Sequence, residues 1–195
     1  MKSIITSLLM LIQMTASGQQ VSINSNLESR ESGGGNVLAS YFPIYSRYGL
    51  ELLSNVFNEI SLEDIQRVIS ETEIYTVKNL CFKDPSNYGQ LLCRDAEYDK
   101  NLNRIRFDMS KWTSLSCKQK MTIASHEYLR ALKLEKADYK YSSLISSGEF
   151  YRTIGCGVTL SDDECHRRQS LNLDLDHQIT YICDRLWIME GGRNE

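Results

Sequence analysis

The chain has 195 residues, a formal net charge of −3 and 42% hydrophobic residues. That length suits one domain with a real core rather than several. A mildly acidic chain whose bases form no continuous stripe is poorly suited to gripping a phosphate backbone, which argues against nucleic acid as a partner.

Residues 1–18, "MKSIITSLLMLIQMTASG", read as a signal peptide. Lys2 supplies a positive start, an apolar run extends from Ile4 to Met14, and Ala16-Ser17-Gly18 fits a small-x-small cleavage site. The run is too short to span a bilayer, and no Cys follows closely enough for a lipoprotein anchor. Cleavage near Gly18/Gln19 would remove Lys2 and take the net charge to −4. The expected location is the periplasm or the exterior of the cell, and no later stretch is apolar enough to anchor the chain in a membrane.

Six cysteines all follow the cleavage site: Cys81, Cys93, Cys117, Cys156, Cys165 and Cys183. An even number in an oxidising compartment reads as three disulfides. No C-x-x-C pair is present to suggest a zinc ribbon. Locality favours Cys81–Cys93 and Cys156–Cys165, which leaves Cys117–Cys183 by elimination.

Residues 19–36 are polar and end in a glycine run, which predicts a flexible leader. Neither a Lys nor a helix start follows the glycines at phosphate-loop spacing. Residues 37–195 form the single globular domain. From Tyr48 to Ile60 the apolar positions Leu52, Leu53, Val56, Phe57 and Ile60 fall at helical spacing. Ser61 is placed to cap a second helix carrying Leu62, Ile65, Val68 and Ile69, with Asp64 at its third position.

"EIYTVKNLCF" (73–82), the turn cluster "KDPSNYG" (83–89) and "QLLC" (90–93) predict a strand-turn-strand unit closed by Cys81 and Cys93. "YDKNLN" (98–103) reads as a hairpin connection to "NRIRFDM" (103–109). In that strand Ile105, Phe107 and Met109 share one face, while Arg104, Arg106 and Asp108 share the other. Ser116 with Gln119 forms a capping box that starts a helix ending near Lys133 or Leu134. A polar, tyrosine-rich stretch follows. "SDDECHRRQ" (161–169) reads as a short capped helix with acids first and bases last. "HQITYICDRLWIM" (177–189) is apolar enough to pack on the core, with strand and helix fitting it equally. The predicted class is α+β: one disulfide-stapled domain in which a small, mostly antiparallel sheet packs on several helices.

The chemistry worth weighing lies in "SHEYLRALKLE", Ser125 to Glu135. The strand "RIRFDMSKW" followed by a capped helix bearing His-Glu resembles the zinc metallopeptidases (zincins), in which an edge strand holds substrate beside a metal helix. Their H-E-x-x-H motif works because residues i and i+4 share a helix face, so both imidazoles reach one Zn²⁺. The intervening Glu activates the metal-bound water. Carried across, His126 matches the first ligand and Glu127 the base. The second ligand position holds Arg130, and the Gly and third His of the longer metzincin motif correspond to Lys133 and Lys136. Arg is always protonated and cannot coordinate zinc. It can stand where a metal would stand and pair with Glu127, three residues away on the same face.

The expectation is therefore an exported, non-catalytic protein with a degenerate metallopeptidase-like helix. It would bind or inhibit a protein, peptide or glycan and need no cofactor. The alternative is a metal-dependent hydrolase, a zinc peptidase whose ligand set adds His166, His177 or Glu135 to His126. Glu135 lies about 180° around an ideal helix from His126, so it could join only if the helix ended first. Asp174, Asp176 and His177 form a D-x-D-H cluster that could take a hard cation. The blandest expectation is an ordinary helix with one of His126 and Glu127 partly buried and the other exposed. Tyr139, Tyr141 and Tyr151 could line a binding surface or serve as amphipathic shell residues. No G-x-S-x-G elbow is present, and a Cys nucleophile would compete with disulfide pairing. "GGGN" behind a signal peptide with "HEYLRALKLE" further on also resembles secreted Gram-negative bacterial proteins of unassigned activity. That resemblance implies export and no particular reaction.

Overall fold

The computed structural model describes residues 37–83, 91–136, 138–151 and 156–191. The expected signal peptide, the leader and most of the "KDPSNYG" turn lie outside them. The elements in chain order are α1 (Val37–Ser54), α2 (Leu62–Glu71), β1 (Glu73–Val77), β2 (Cys81–Lys83), β3 (Leu91–Cys93) and β4 (Ala96–Asp99). They continue with β5 (Arg104–Asp108), α3 (Met109–Trp112), α4 (Cys117–Ala131), α5 (Ser143–Ser147) and α6 (Asp162–Met189).

The fold is α+β. A three-stranded sheet runs in the order β1-β5-β4, and β2 and β3 form a separate antiparallel hairpin with Cys81 opposite Cys93. β4 is antiparallel to β5, whereas β1 is parallel to it, with Ile74 beside Ile105. Alternation along β5 puts Ile105 and Phe107 wholly inside. Phe107 stacks on Phe42 of α1 with ring centres 4.9 Å apart, and Trp112 closes the cluster at about 5 Å from both rings. α1 and α4 cover this face of the sheet. Three disulfides staple the fold: Cys81–Cys93, Cys117–Cys183 between α4 and α6, and Cys156–Cys165. Among the described residues no helix is long and apolar enough to cross a membrane.

Several boundaries differ from the sequence reading. α1 begins at Val37 rather than Tyr48 and stops at Ser54, short of Ile60. Pro43 in its second turn removes one backbone donor. Burial of Ala39, Phe42 and Tyr45 on either side of it carries the helix through. The 73–82 run is two strands, not one. Asn79 takes a left-handed conformation (φ 59°), and the Leu80 N–H leaves the ladder to donate to Asp108 at 3.1 Å. Met109 is not a strand residue, because Asp108 ends β5 and caps α3 by accepting from the Ser110 N–H.

The largest correction is at the C-terminal side. Residues 162–189 form one helix of 28 residues, so "SDDECHRRQ" is only its first turns and "HQITYICDRLWIM" its end. No Gly or Pro interrupts 162–189. Leu175, Ile179 and Leu186 recur at helical spacing and are buried, which settles helix over strand.

Candidate functional site

α4 starts as its sequence dictates. Ser116 accepts from the Gln119 N–H, and the Gln119 side chain accepts from the Ser116 N–H at 2.8 Å. Every residue from Lys120 to Leu129 is buried, because α1, α5, β4 and α6 surround the helix. His126 and Glu127 are therefore both inside, at 3% and 2% exposure, and not one in and one out.

The helix ends at Ala131 with a Schellman turn. The Lys133 N–H donates to the Arg130 carbonyl and the Leu134 N–H to the Leu129 carbonyl. Lys133 occupies the left-handed position (φ 62°) where glycine is the usual choice. This reversal removes the 180° obstacle and brings Glu135 back over the helix. Its Oε2 lies 2.7 Å from His126 Nδ1. Glu135 also accepts from the Tyr141 N–H, from the Ser142 N–H at 2.7 Å and from the Ser142 hydroxyl at 2.9 Å. Tyr139, another left-handed residue (φ 51°), lays its ring flat on the imidazole at 3.7 Å between centres.

Glu127 faces the other way. Its Oε2 accepts from the Tyr98 N–H of β4 at 2.6 Å and from Arg130 Nη1 at 3.0 Å. The strand expected at the sheet edge, β5, is the middle strand; the edges are β1 and β4, and β4 is the one that lies against α4. Glu127 holds that edge by satisfying an amide that points away from the ladder.

Electrostatics separate the two acids. Burial pushes the Glu127 carboxyl above its ordinary range, and the charges of Arg130 and His126 only partly offset it. Burial also acts upward on Glu135, but the bonds from His126, Ser142 and Tyr141 outweigh it and hold that carboxyl below its ordinary value. The Tyr139 hydroxyl is pushed up by burial, with Glu127 and Asp95 adding to the effect.

A carboxylate on Nδ1 fixes the imidazole and favours the Nδ1–H tautomer. Zinc-ligating histidines are supported in the same way. The rest of a zinc site does not follow. Position 130 is a guanidinium bonded to Glu127. Among the described residues no group of three or more His, Cys, Asp or Glu is disposed to hold a metal. Glu135 points its carboxylate at His126 rather than sharing a metal with it. The residues present do not fit a catalytic zinc ion.

The remaining candidates are dispersed. His166 is exposed on α6 with Nδ1 2.8 Å from the Asp162 carbonyl, and His177 is exposed further along the same helix. Asp174 accepts from Gln178, and Asp176 pairs with Lys118, so the D-x-D-H residues do not converge. Tyr141 is buried and donates to Glu59, while Tyr151 is half-buried with its N–H on Asn172. These two do not join Tyr139 in one exposed aromatic face. Set against protein-family models, curated proteins and solved structures, the chain matches none.

Sequence reasoning missed Tyr98, which contributes only a backbone N–H, and Ser142, which adds its hydroxyl to its N–H but sits in a serine-rich stretch with nothing to single it out. Glu135 had a weak signal: it is an acid placed just beyond a helix end, where the chain can fold back.

Proposed function

We propose that this chain is an exported, non-catalytic protein that works by binding, and that its metallopeptidase-like helix serves as the structural centre. The observation that carries this reading is the engagement of both reactive groups. Glu127 is bonded to the β4 edge and to Arg130, and His126 is bonded to Glu135 beneath Tyr139. A general base must reach the water it deprotonates, and Glu127 is only 2% exposed, with the Tyr98 amide and Arg130 both held on its Oε2. Arg130 supplies the positive charge that a metal would otherwise bring. Three disulfides suit an oxidising compartment, and the signal-like first 18 residues support export.

Metal content tests the reading. The chain, produced in an oxidising compartment without a His tag, should carry well below about a tenth of a zinc per molecule by elemental mass spectrometry. Arg130→His should destabilise it by about 1–3 kcal/mol, because Glu127 loses its cation, and should raise zinc affinity. Close to one zinc per chain, lost in His126→Ala together with peptide hydrolysis, would overturn the proposal in favour of a zinc peptidase.

A further inference from the structure

Beside the buried site lies a cavity of about 570 Å³, within the range of small-molecule pockets. Its wall includes Tyr98, Lys100, Asn101, Arg130, Lys133 and Lys136. We infer that this cavity binds a small organic anion carrying two or more negative charges. The inference rests on the binding reading above and gives it a ligand class.

The charge balance around the cavity supports it. The acids of the neighbouring strand already have cations: Glu97 has Arg94 and Arg106, Asp99 has Arg104, and Asp95 has Lys111. Glu127 has Arg130, and Glu135, the one acid in the cavity wall, is bonded to His126, Tyr141 and Ser142. Lys100, Lys133 and Lys136 are exposed and have no salt-bridge partner among the described residues. A chain of net charge −3 thus gathers three lysines at one concave place, against a single unbridged acid nearby, Asp138, whose carboxylate accepts from the Lys136 N–H at 3.3 Å. A multiply charged anion is what such a focus of potential attracts. Asn101 and the Tyr98 ring offer the organic part a hydrogen-bonding amide and a flat apolar surface.

A structural explanation competes for part of this. Cations near the C-terminal end of α4 offset the helix dipole, which would account for Arg130 and Lys133. It does not account for Lys100, which arrives from the turn between β4 and β5. Nor does it explain why Lys133 holds a left-handed position that glycine fills without strain.

That difference defines the experiment. The oxidised full chain is titrated by calorimetry with citrate and with succinate at about 50 mM salt, where screening is modest, and with acetate as the singly charged comparison. The expected result is saturable one-to-one binding of citrate or succinate, with a dissociation constant below about 1 mM, and none of acetate. Lys133→Gly should bind at least about fivefold more weakly while melting no lower than the parent. The Lys100→Ala/Lys133→Gly/Lys136→Ala variant should show no saturation. Lys118→Ala, at the far end of α4, should bind like the parent. Unchanged affinity in Lys133→Gly and in the triple variant would overturn the inference, as would the lack of saturable binding in the parent. Flotation with phosphatidylglycerol vesicles, absent with phosphatidylcholine and unaccompanied by soluble-anion binding, would also overturn it by moving the charges to a lipid surface. A zinc-free chain that ignores these anions sinks this site alone, whereas a zinc-loaded chain sinks the reading beneath it.

Discussion

Glu127 takes both of its hydrogen bonds on one oxygen, Oε2, from the Tyr98 amide and from Arg130. A glutamine carbonyl placed there keeps both bonds and removes a buried negative charge. Glu127→Gln should therefore change stability by no more than about 1 kcal/mol. Glu135 uses both oxygens and meets only donors: two backbone amides, the Ser142 hydroxyl and His126 Nδ1. The amide nitrogen of a glutamine would face donors at one end, so Glu135→Gln should cost about 2–4 kcal/mol at pH 7. The pH dependences differ in sign. Glu135 is held below its ordinary value of 4.5, so its contribution is complete above that pH and is lost as the pH falls through the folded-state value. Glu127 is raised from 4.5, so its contribution is greatest below that pH and is lost as the pH rises through the folded-state value. Urea unfolding at pH 7 and below pH 4 checks this, because the gap between parent and Glu135→Gln should close in acid. Equal costs for the two variants, or a gap that ignores pH, would refute the assignment. Spacing along a helix put Arg130 within reach of Glu127, so that neighbourhood was legible in the sequence. The fold-back of Glu135 was not, because it depends on a helix stop made with lysine in place of glycine.

Between elements, α1 comes close against α4 at Gly49. A Cβ at Gly49 would stand 2.9 Å from both Ile145 Cδ1 and Met121 Cγ, and closer still to Ser125 Oγ. Helix propensity favours alanine over glycine there by about 1 kcal/mol. Overpacking in a close-packed core typically costs about 1–3 kcal/mol, and here the crowding includes Ser125 on the buried face of α4. Crowding should win, so Gly49→Ala is expected to lower the melting temperature. A neutral or raised melting temperature would mean that the two helices can slide apart without loss. The same contest between local signal and packing explains which elements were legible. The Ser116–Gln119 capping box and the alternation in β5 are local chemistry and stood in the sequence. The first half of α1 did not, since a proline sits where only tertiary burial keeps the helix continuous. The length of α6 also escaped notice, because its buried positions are sparse and its charged first turns look like a complete short helix.

At the scale of the whole molecule, α6 is the lightly held part. Of its 28 residues only Cys165, Leu175, Ile179 and Leu186 are buried, while Leu173, Tyr181, Trp187 and Ile188 are more than half exposed. The aromatic cluster of Phe42, Phe107 and Trp112 with Tyr128 lies in α1, β5, α3 and α4, and needs nothing from α6. What ties the long helix down is the Cys117–Cys183 bridge, helped by the Lys118–Asp176 and Lys120–Glu190 pairs. The bridge closes a loop with a sequence separation of 66, worth about 4 kcal/mol in chain entropy. Much of that would fall on α6 rather than on the central cluster, because regions with few buried contacts open first. The Cys117→Ser/Cys183→Ser variant should therefore lose roughly 3–4 kcal/mol. In limited trypsin digestion read by mass spectrometry, it should be cut first at Arg167, Arg168 and Arg185 of α6. Cuts at Arg104, Arg106 and Lys120 should follow only later. Simultaneous cutting in both sets would show α6 to be part of one cooperative unit with α4. Delayed cutting at Arg104 and Arg106 would leave β5, α4 and the Glu135 fold-back as a core able to hold the His126 site without its outer helix.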